Sequence, residues 1–212
     1  MHLLSLLSPL DGVPIAVKDD VDVAGAHHDA IGMITSGSSL ARRASRPENI
    51  ALAREVGSRV PAAEPLAYDS EVGCLVQWYP LDLTLPALAF PPAGLRWLLA
   101  SEGLAVESSD EELERLAYKP RRRAVLRLDD HVLKIYRRED EFKRALAGQR
   151  AASALRHSLV VPRFEAALGD QRVIVQSLLH GRAAPEAASA AADAGAALAV
   201  LHASRPVGLS PF

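Results

Sequence analysis

The sequence predicts an α+β fold in which small antiparallel sheets pack against helices. Three observations carry this prediction. Apolar and polar residues alternate in short runs, and charged or glycine-containing turns separate these runs, as in β-hairpins. Helical periodicity is confined to segments between the hairpins. Apolar residues make up 49% of the 212 residues, which is enough for a globular core.

The first ninety residues predict strands and one helix. Alternating apolar positions predict strands over residues 10–25 and, around a charged turn, within residues 64–79. Residues 26–39 hold a short apolar run that ends in a glycine- and serine-containing turn. Residues 40–59 predict a helix, because Arg46-Pro47-Glu48 places a proline and an acid where a helix start favours them.

A connector is predicted between the two halves of the chain. Several prolines follow residue 80 and interrupt regular structure there. Helical patterns then occupy residues 93–102 and 109–117, and Ser109 with Glu112 forms the expected capping box of the second helix. We therefore expect a helical connector over residues 91–114.

The second half has the clearer pattern of strands and helices. Two pairs of apolar-polar alternations are each joined by a short turn, which predicts two hairpins. A helical pattern with an acidic start separates them, and an alanine-rich helix follows. The predicted strands are at 124–128, 131–136, 166–168 and 172–178, and the predicted helices are at 139–156 and 185–203.

The two halves share an internal repeat. Several identities recur 101 residues apart, and one dipeptide recurs 99 residues apart. The pairs are Val60-Pro61 with Val161-Pro162, Glu64 with Glu165, Asp69 with Asp170, and Val76-Gln77 with Val175-Gln176. Chance is the competing explanation for so few identities. The agreement in order favours a duplicated helix–hairpin unit.

Composition excludes several classes of function. The formal net charge of −2 argues against a nucleic-acid partner, since such proteins carry a basic excess, and gives no attraction to an anionic membrane. Cys74 is the only cysteine, which excludes an intrachain disulfide and a thiolate metal cluster. Residues 1–10 are apolar but too short to span a bilayer. We expect a cytoplasmic protein without nucleic-acid or membrane partners.

The second half carries a charged residue where the pattern is otherwise apolar. Lys134 interrupts an apolar strand, and lysine is rarely placed there without a partner. An acidic-start helix, a second hairpin and an alanine-rich helix follow. This order resembles the N-lobe of the aminoglycoside phosphotransferase and choline kinase-like family, which is protein-kinase-like. The resemblance covers about residues 115–203, with a kinase-like N-lobe at 115–184 and a first C-lobe helix and tail at 185–212. Residues 1–90 would be a degenerate N-lobe-like copy.

The resemblance implies roles for individual residues. Lys134 would hold the nucleotide phosphates, since phosphoryl transfer depends on positioning and charge neutralisation. Glu141, with Glu139 in reserve, would hold that lysine. The hinge, Gln176-Ser177-Leu178, would offer backbone groups to an adenine edge. Arg123 ends a basic turn, 119–123, that would lie where such kinases cover the phosphates.

Simpler interpretations of the same residues stay open. Lys134 also fits an edge strand, where a lysine lays its aliphatic stem along the sheet and keeps its ammonium group in water. Glu139 and Glu141 also suit a helix start, where carboxylates favour the positive end of the dipole. The basic turn before Arg123 lacks a glycine that would let its backbone close on phosphates, which favours a solvated turn.

The implied activity is that of an ATP-dependent kinase for a small hydroxylated molecule, with ATP and Mg²⁺ as cofactors. Such kinases need a catalytic-loop aspartate, an asparagine and a metal-binding aspartate beyond the alanine-rich helix, and the sequence has none after His202. The expectation is nucleotide binding without transfer, unless a further lobe or a partner chain supplies these groups. His27-His28-Asp29 precedes the lysine and lacks further metal ligands, so we assign it no catalytic or metal role. The alternative is a non-catalytic, pseudokinase-type interaction module.

A second resemblance concerns residues 10–25. Their sequence, LDGVPIAVKDDVDVAG, is similar to the segment around the catalytic lysine of the amidase signature family. In that family a lysine acts with two serines in acyl transfer. Lys18 would match the lysine, and Ser36, Ser38 and Ser39 are superficial candidates for the serines. The family's long glycine- and serine-rich stretch is missing, which implies an amidase remnant without activity.

Overall fold

The computed structural model describes most of the chain and confirms the α+β class. It describes residues 15–19, 30–36, 39–60, 64–71, 73–106, 113–153, 155, 159–180 and 187–203. Contacts divide the chain into two compact units. The first unit consists of Met1–Leu95 with Lys119–Arg122, and the second of Arg96–Tyr118 with Arg123–Phe212. Each unit contains one antiparallel sheet.

The sheet of the first unit has four strands in the order β1-β2-β4-β3, and every neighbouring pair is antiparallel. The strands are β1, Ile15–Asp19; β2, Ala30–Ser36; β3, Leu66–Asp69; and β4, Cys74–Trp78. The predicted strands within 10–25 and 64–79 are confirmed for the described residues, and the apolar run within 26–39 forms β2. The residues 20–29, which include His27, His28 and Asp29, lie outside the described part.

The predicted helix over 40–59 is divided into two. Helix α1 is Leu40–Ala44, helix α2 is Pro47–Val56, and a short 3-10 turn follows. The break has a local cause. Pro47 clashes with a helical residue before it, and Arg46 accordingly has an extended backbone with φ −67° and ψ 133°. The predicted helix start at Pro47 is confirmed.

The first unit has its own apolar core beneath α2. Val56, Leu81 and Ala89 are buried together there. The Arg59 guanidinium donates to the carbonyls of Ala89 and, at 3.2 Å, of Phe90. Burial lowers the pKa of Arg59. These bonds satisfy carbonyls at the end of the 3-10 turn Pro86–Ala89, where helical partners are lacking.

A buried carboxylate organises the segment after β4. Asp82 is 1% exposed. One of its oxygens accepts hydrogen bonds from the Thr84 amide (2.8 Å) and hydroxyl (2.6 Å), and the other accepts from the Arg121 amide at 2.8 Å. Arg121 has a left-handed backbone, with φ 59°, a strained conformation for a non-glycine residue. Asp82 therefore stabilises the turn 119–122.

The sheet of the second unit has five strands in the order β5-β6-β7-β9-β8. The strands are β5, Glu114–Lys119; β6, Arg123–Leu128; β7, His131–Tyr136; β8, Phe164–Leu168; and β9, Val173–Ser177. Helix α4, Glu139–Ser153, lies between β7 and β8 in sequence. Both predicted hairpins and the helix between them are confirmed, with β8 beginning two residues earlier than predicted.

The helix predicted over 109–117 is wrong where the structure describes it. Residues 114–117 belong to strand β5, and the capping residues Ser109 and Glu112 lie outside the described part. Leu113-Glu114-Arg115-Leu116 also fits helical spacing, but pairing with β6 at the sheet edge decides the conformation. The predicted helix 93–102 is confirmed as α3, Pro92–Ser101.

The second sheet has one face of fully buried side chains and another face that helix α4 covers. One face, which we call the inner face, carries fully buried side chains, among them Leu126, Leu133 and Val175. Helix α4 packs against β7, β8 and β9, and its Phe142 ring lies 6.4 Å from that of Tyr136. Because Tyr136 and Lys134 are two residues apart on one strand, they share this α4 face.

The last helix, α5, is Ala187–Ala203. Residues 191–199 of this helix are exposed, and they are almost all apolar. Of the helices in the described part of the chain, none has both the length and the apolar character to cross a bilayer.

Candidate functional site

Lys134 lies in the middle of the second sheet. Strand β7 is the central strand, and Lys134 sits opposite Val125 on β6 and Ile174 on β9. Residues opposite each other in an antiparallel sheet point to the same face, so apolar side chains flank the lysine on both sides. The edge-strand interpretation does not apply to this position, because β7 has a neighbour on each side.

The charge of Lys134 is poorly compensated. Burial, and then the positive charge of Arg123, lowers the pKa of Lys134 below its ordinary value. Among the described residues, no carboxylate lies within 4.0 Å of its ammonium group. Arg123 is exposed and sits opposite Tyr136 at the start of β6, on the same face of the sheet. The α4 face thus presents two cations near each other.

The acids of α4 are not brought to Lys134. Asp140 lies 2.8 Å from Arg138, whose hydrogen bond lowers the pKa of Asp140. Glu139 lies 3.3 Å from Lys143. Glu141 is half-buried, and no ion pair joins it to Lys134 in the described part. These acids occupy the first turn of α4, which is the position that the helix-start interpretation gives them.

Gln176 is a polar side chain on the α4 face that the sequence identified only for its backbone. It sits opposite Val132 on β7 and is 6% exposed. Its side-chain carbonyl oxygen is buried and has no hydrogen-bond partner among the described groups. A buried acceptor left without a donor costs free energy. A ligand donor at this position would remove that cost.

The first unit contains a matched residue for comparison. Gln77 is 2% exposed and sits opposite Met33 on β2, as Gln176 sits opposite Val132. The side-chain oxygen of Gln77, however, accepts a hydrogen bond of 3.0 Å from the Leu83 amide. The same side chain is therefore satisfied in the first unit and left with an orphaned oxygen in the second.

The backbone amides of the predicted hinge are already used within the second unit. The Ser177 amide donates to the Arg163 carbonyl at 2.9 Å, and its hydroxyl accepts from the Arg163 amide at 2.9 Å. The Leu178 amide donates to the Asp130 carbonyl at 2.7 Å. A nucleotide base at this hinge would need the next amide, of Leu179, or the hinge carbonyls.

A buried ionic group lies at the same end of the second sheet, and the sequence analysis missed it. His131 Nδ1 lies 2.7 Å from a Glu165 oxygen, and His131 Nε2 lies 2.9 Å from the Ala105 carbonyl. Arg163 lies 2.7 Å from the other Glu165 oxygen. The Ala105 carbonyl only accepts hydrogen bonds, so His131 Nε2 is the donor in that contact. An ionised Glu165 also only accepts, so the two contacts together favour the imidazolium form of His131.

The pKa of His131 agrees with this assignment. Burial disfavours the charged ring, yet the Ala105 carbonyl and the Glu165 carboxylate outweigh it and raise the pKa of His131 above its ordinary value of 6.5. A signal did exist in the sequence, because Glu165 is part of the internal repeat. The pairing with His131 depends on strand order, which the sequence alone did not provide.

Two candidates of the amidase-like resemblance, Lys18 and Ser36, lie far apart in the first sheet. Lys18 on β1 sits opposite Ile31 on β2. Ser36 lies five residues beyond Ile31 on β2, which is about 17 Å along the strand. Ser38 lies outside the described part of the chain. Across the residues that the structure describes, no three histidine, cysteine, aspartate or glutamate side chains could hold a metal ion together.

Comparisons with known proteins identify no relative. No protein-family model matches the chain, and neither a curated protein nor a solved structure matches it.

Proposed function

We propose that this chain is the nucleotide-binding N-lobe of an ATP-dependent small-molecule phosphotransferase, in which Lys134 contacts the phosphates. One observation carries the proposal. Lys134 lies at the centre of a five-stranded sheet, on the face that α4 covers, with Arg123 nearby and no described carboxylate within ion-pair distance.

The electrostatics of this face favour an anionic ligand. A half-buried ammonium whose one charged neighbour among the described residues is another cation is destabilised by desolvation and repulsion. A polyphosphate chain would bring negative charge to both Lys134 and Arg123. Charge-assisted hydrogen bonds to phosphate are about twice as strong as neutral ones.

The opposite end of the same ligand would meet Gln176. Gln176 lies opposite Val132, which is two residues from Lys134 along β7. The two side chains are therefore about 7 Å apart along the strands, and one nucleotide is long enough to reach both. Adenine carries an amino group that can donate to the orphaned oxygen of Gln176. The proposal thus accounts for two unsatisfied groups on one face.

Two predicted features have less support. Glu141 would need to change position to hold Lys134, and its role stays a prediction. The described residues around Lys134 provide no carboxylate ligands for Mg²⁺, so these ligands would have to come from a further lobe or a partner chain. The phosphate acceptor remains the small hydroxylated molecule that the family resemblance implies.

A thermal-shift titration tests the nucleotide site. A ligand that binds only the folded chain raises its melting temperature by mass action, by about 5 °C at a hundred times the dissociation constant for a chain of this size. We expect ATP to raise the melting temperature of the wild type. Lys134→Met should remove at least half of that shift.

Lys143→Met is the matched control. Lys143 lies on α4, is 71% exposed and pairs with Glu139, so its removal should leave the ATP shift unchanged. Equal shifts for the wild type and Lys134→Met would contradict the proposal. So would the absence of any shift in a wild-type chain that melts cooperatively.

A second candidate is a non-catalytic interaction module. One observation favours it: residues 191–199 of α5 are exposed and, apart from Asp193, apolar or glycine, and exposed apolar surface of this kind commonly marks a binding surface. This candidate predicts a chain that does not bind ATP but self-associates or binds a partner. Leu198→Glu, at a side chain that is 53% exposed, should then abolish association, as measured by light scattering.

A further inference from the structure

The first unit contains a cavity lined by arginines that is separate from the proposed nucleotide site. Its volume is about 400 Å³. The described residues that line it, which we call the arginine pocket, are Ser39, Arg42, Arg43, Arg46, Asn49 and Leu83. Three of the six carry a positive charge and none carries a negative charge. The chain as a whole has a net charge of −2, so this concentration of positive charge is local.

The backbone explains why these arginines surround one cavity. Helix α1 ends after Ala44, and the extended backbone of Arg46 reverses the chain before α2. The side-chain amide of Asn49 donates to the Arg43 carbonyl at 2.6 Å, which ties α2 to the end of α1. The Ser45 hydroxyl donates to the Arg42 carbonyl at 3.3 Å. The turn that presents the arginines is thus fixed by hydrogen bonds on both sides.

In the part of the chain that the structure describes, few negative charges oppose the arginine pocket. Glu48 lies 4.0 Å from Arg46, but the two side chains are 67% and 58% exposed, and such surface pairs contribute little. Arg42 is exposed on α1. Arg42 and Arg46 are therefore available to a ligand, whereas Arg43 is half-buried and has other interactions.

The chemistry of the lining selects a class of ligand. Guanidinium groups present paired donors that match the oxygens of phosphate, and they keep their charge at any physiological pH. The Ser39 hydroxyl adds a neutral donor. A cavity of this volume lies in the range of small-molecule sites. We propose that the arginine pocket binds a small phosphomonoester dianion.

Calorimetric titrations of the full chain test this proposal. The probes are inorganic phosphate and glycerol phosphate at about pH 8 and constant ionic strength, where both are dianions. We expect both to bind the wild type, the ester more tightly because the cavity exceeds the size of phosphate. Arg42→Gln and Arg46→Gln should each weaken binding about fivefold, as expected for the loss of one solvent-exposed charge-assisted contact. The double variant should weaken it at least twentyfold.

Two control variants make the result specific. Arg54→Gln removes an exposed arginine of α2 that does not line the pocket and should leave binding unchanged. Lys134→Met should also leave it unchanged, which separates this pocket from the proposed nucleotide site. The proposal is wrong if wild-type chain releases no heat with either probe, if chloride at equal ionic strength competes equally, or if Arg54→Gln weakens binding as much as Arg42→Gln.

Discussion

At the scale of single residues, two cations of the second sheet are held in different ways. His131 has an oxygen acceptor at each ring nitrogen and a buried carboxylate beside it. Lys134 has apolar neighbours and another cation. The first arrangement stabilises the charged side chain within the fold, and the second leaves the charge without a described counter-ion.

The His131 pair makes stability depend on pH. The folded pKa of His131 lies above its unfolded value near 6.5, so its contribution is complete below about pH 6.5 and is lost as the pH rises through the folded pKa. Glu165→Gln should cost about 3 kcal/mol below pH 6.5, because it leaves a buried cation unpaired. The stability of the Glu165→Gln variant should also vary less with pH than that of the wild type.

Urea unfolding of the wild type and of Glu165→Gln between about pH 5 and pH 9 measures this difference in stability. His180→Gln is the control, because His180 is 77% exposed and lies 3.7 Å from Asp130. It should leave the pH profile of the wild type unchanged. A difference in stability between the wild type and Glu165→Gln that is as large at about pH 9 as at about pH 6 would contradict the assignment of a charged His131.

The sequence identified some of these residues and missed others for physical reasons. Lys134 was found because a charge interrupted an apolar pattern, which is visible without knowledge of tertiary structure. The His131–Glu165 contact joins strands 34 residues apart, and no local pattern encodes it. Gln176 was named only for its backbone, since an unsatisfied side-chain oxygen can be recognised only once its surroundings are known.

At the scale of elements, hairpins and helix starts were the most predictable features. The turn at Asp129-Asp130 separates two alternating runs, and Pro47 can only begin a helix or break one. The sequence predicts a helix where strand β5 lies, because these residues fit both periods. Edge strands are weakly specified by their own sequence, since pairing with a neighbour decides them.

The central strand β7 should dominate the stability of the second unit. Leu133 is fully buried on the inner face, whereas Leu116 on the edge strand β5 is 45% exposed. Leu133→Ala should lower the free energy of unfolding by about 3 kcal/mol. Leu116→Ala should change it by less than about 0.5 kcal/mol. Urea unfolding followed by circular dichroism compares the two, and equal losses would contradict the assigned positions of these strands.

At the scale of the whole molecule, the two sheets repeat one connectivity. In each, a hairpin is followed by helical structure and a second hairpin, and the strands adopt corresponding orders, β1-β2-β4-β3 and β6-β7-β9-β8. Gln77 and Gln176, which the repeat aligns, occupy equivalent positions. This agreement supports the proposed duplication. By the same register, the counterpart of Lys134 is Thr35, so only the second unit carries the lysine.

The paired glutamines give a test of this comparison. Gln176→Leu should stabilise the chain without ligand by about 1 kcal/mol, because it removes an orphaned buried oxygen. Gln77→Leu should destabilise it by about 1–2 kcal/mol, because the Leu83 amide loses its acceptor. Melting temperatures of the two variants should move in opposite directions. Destabilisation by both would mean that Gln176 has a partner within the fold.

The central claim is that Lys134 contacts nucleotide phosphates, and calorimetric affinities of ATP, ADP, AMP and adenosine test it most directly. If it is right, wild-type affinity falls as phosphates are removed, and Lys134→Met weakens ATP about tenfold while leaving adenosine unchanged, since one charge-assisted contact is lost. Lys143→Met should match the wild type throughout. If all four ligands bind Lys134→Met and the wild type alike, or if none binds the wild type, Lys134 is not a phosphate ligand.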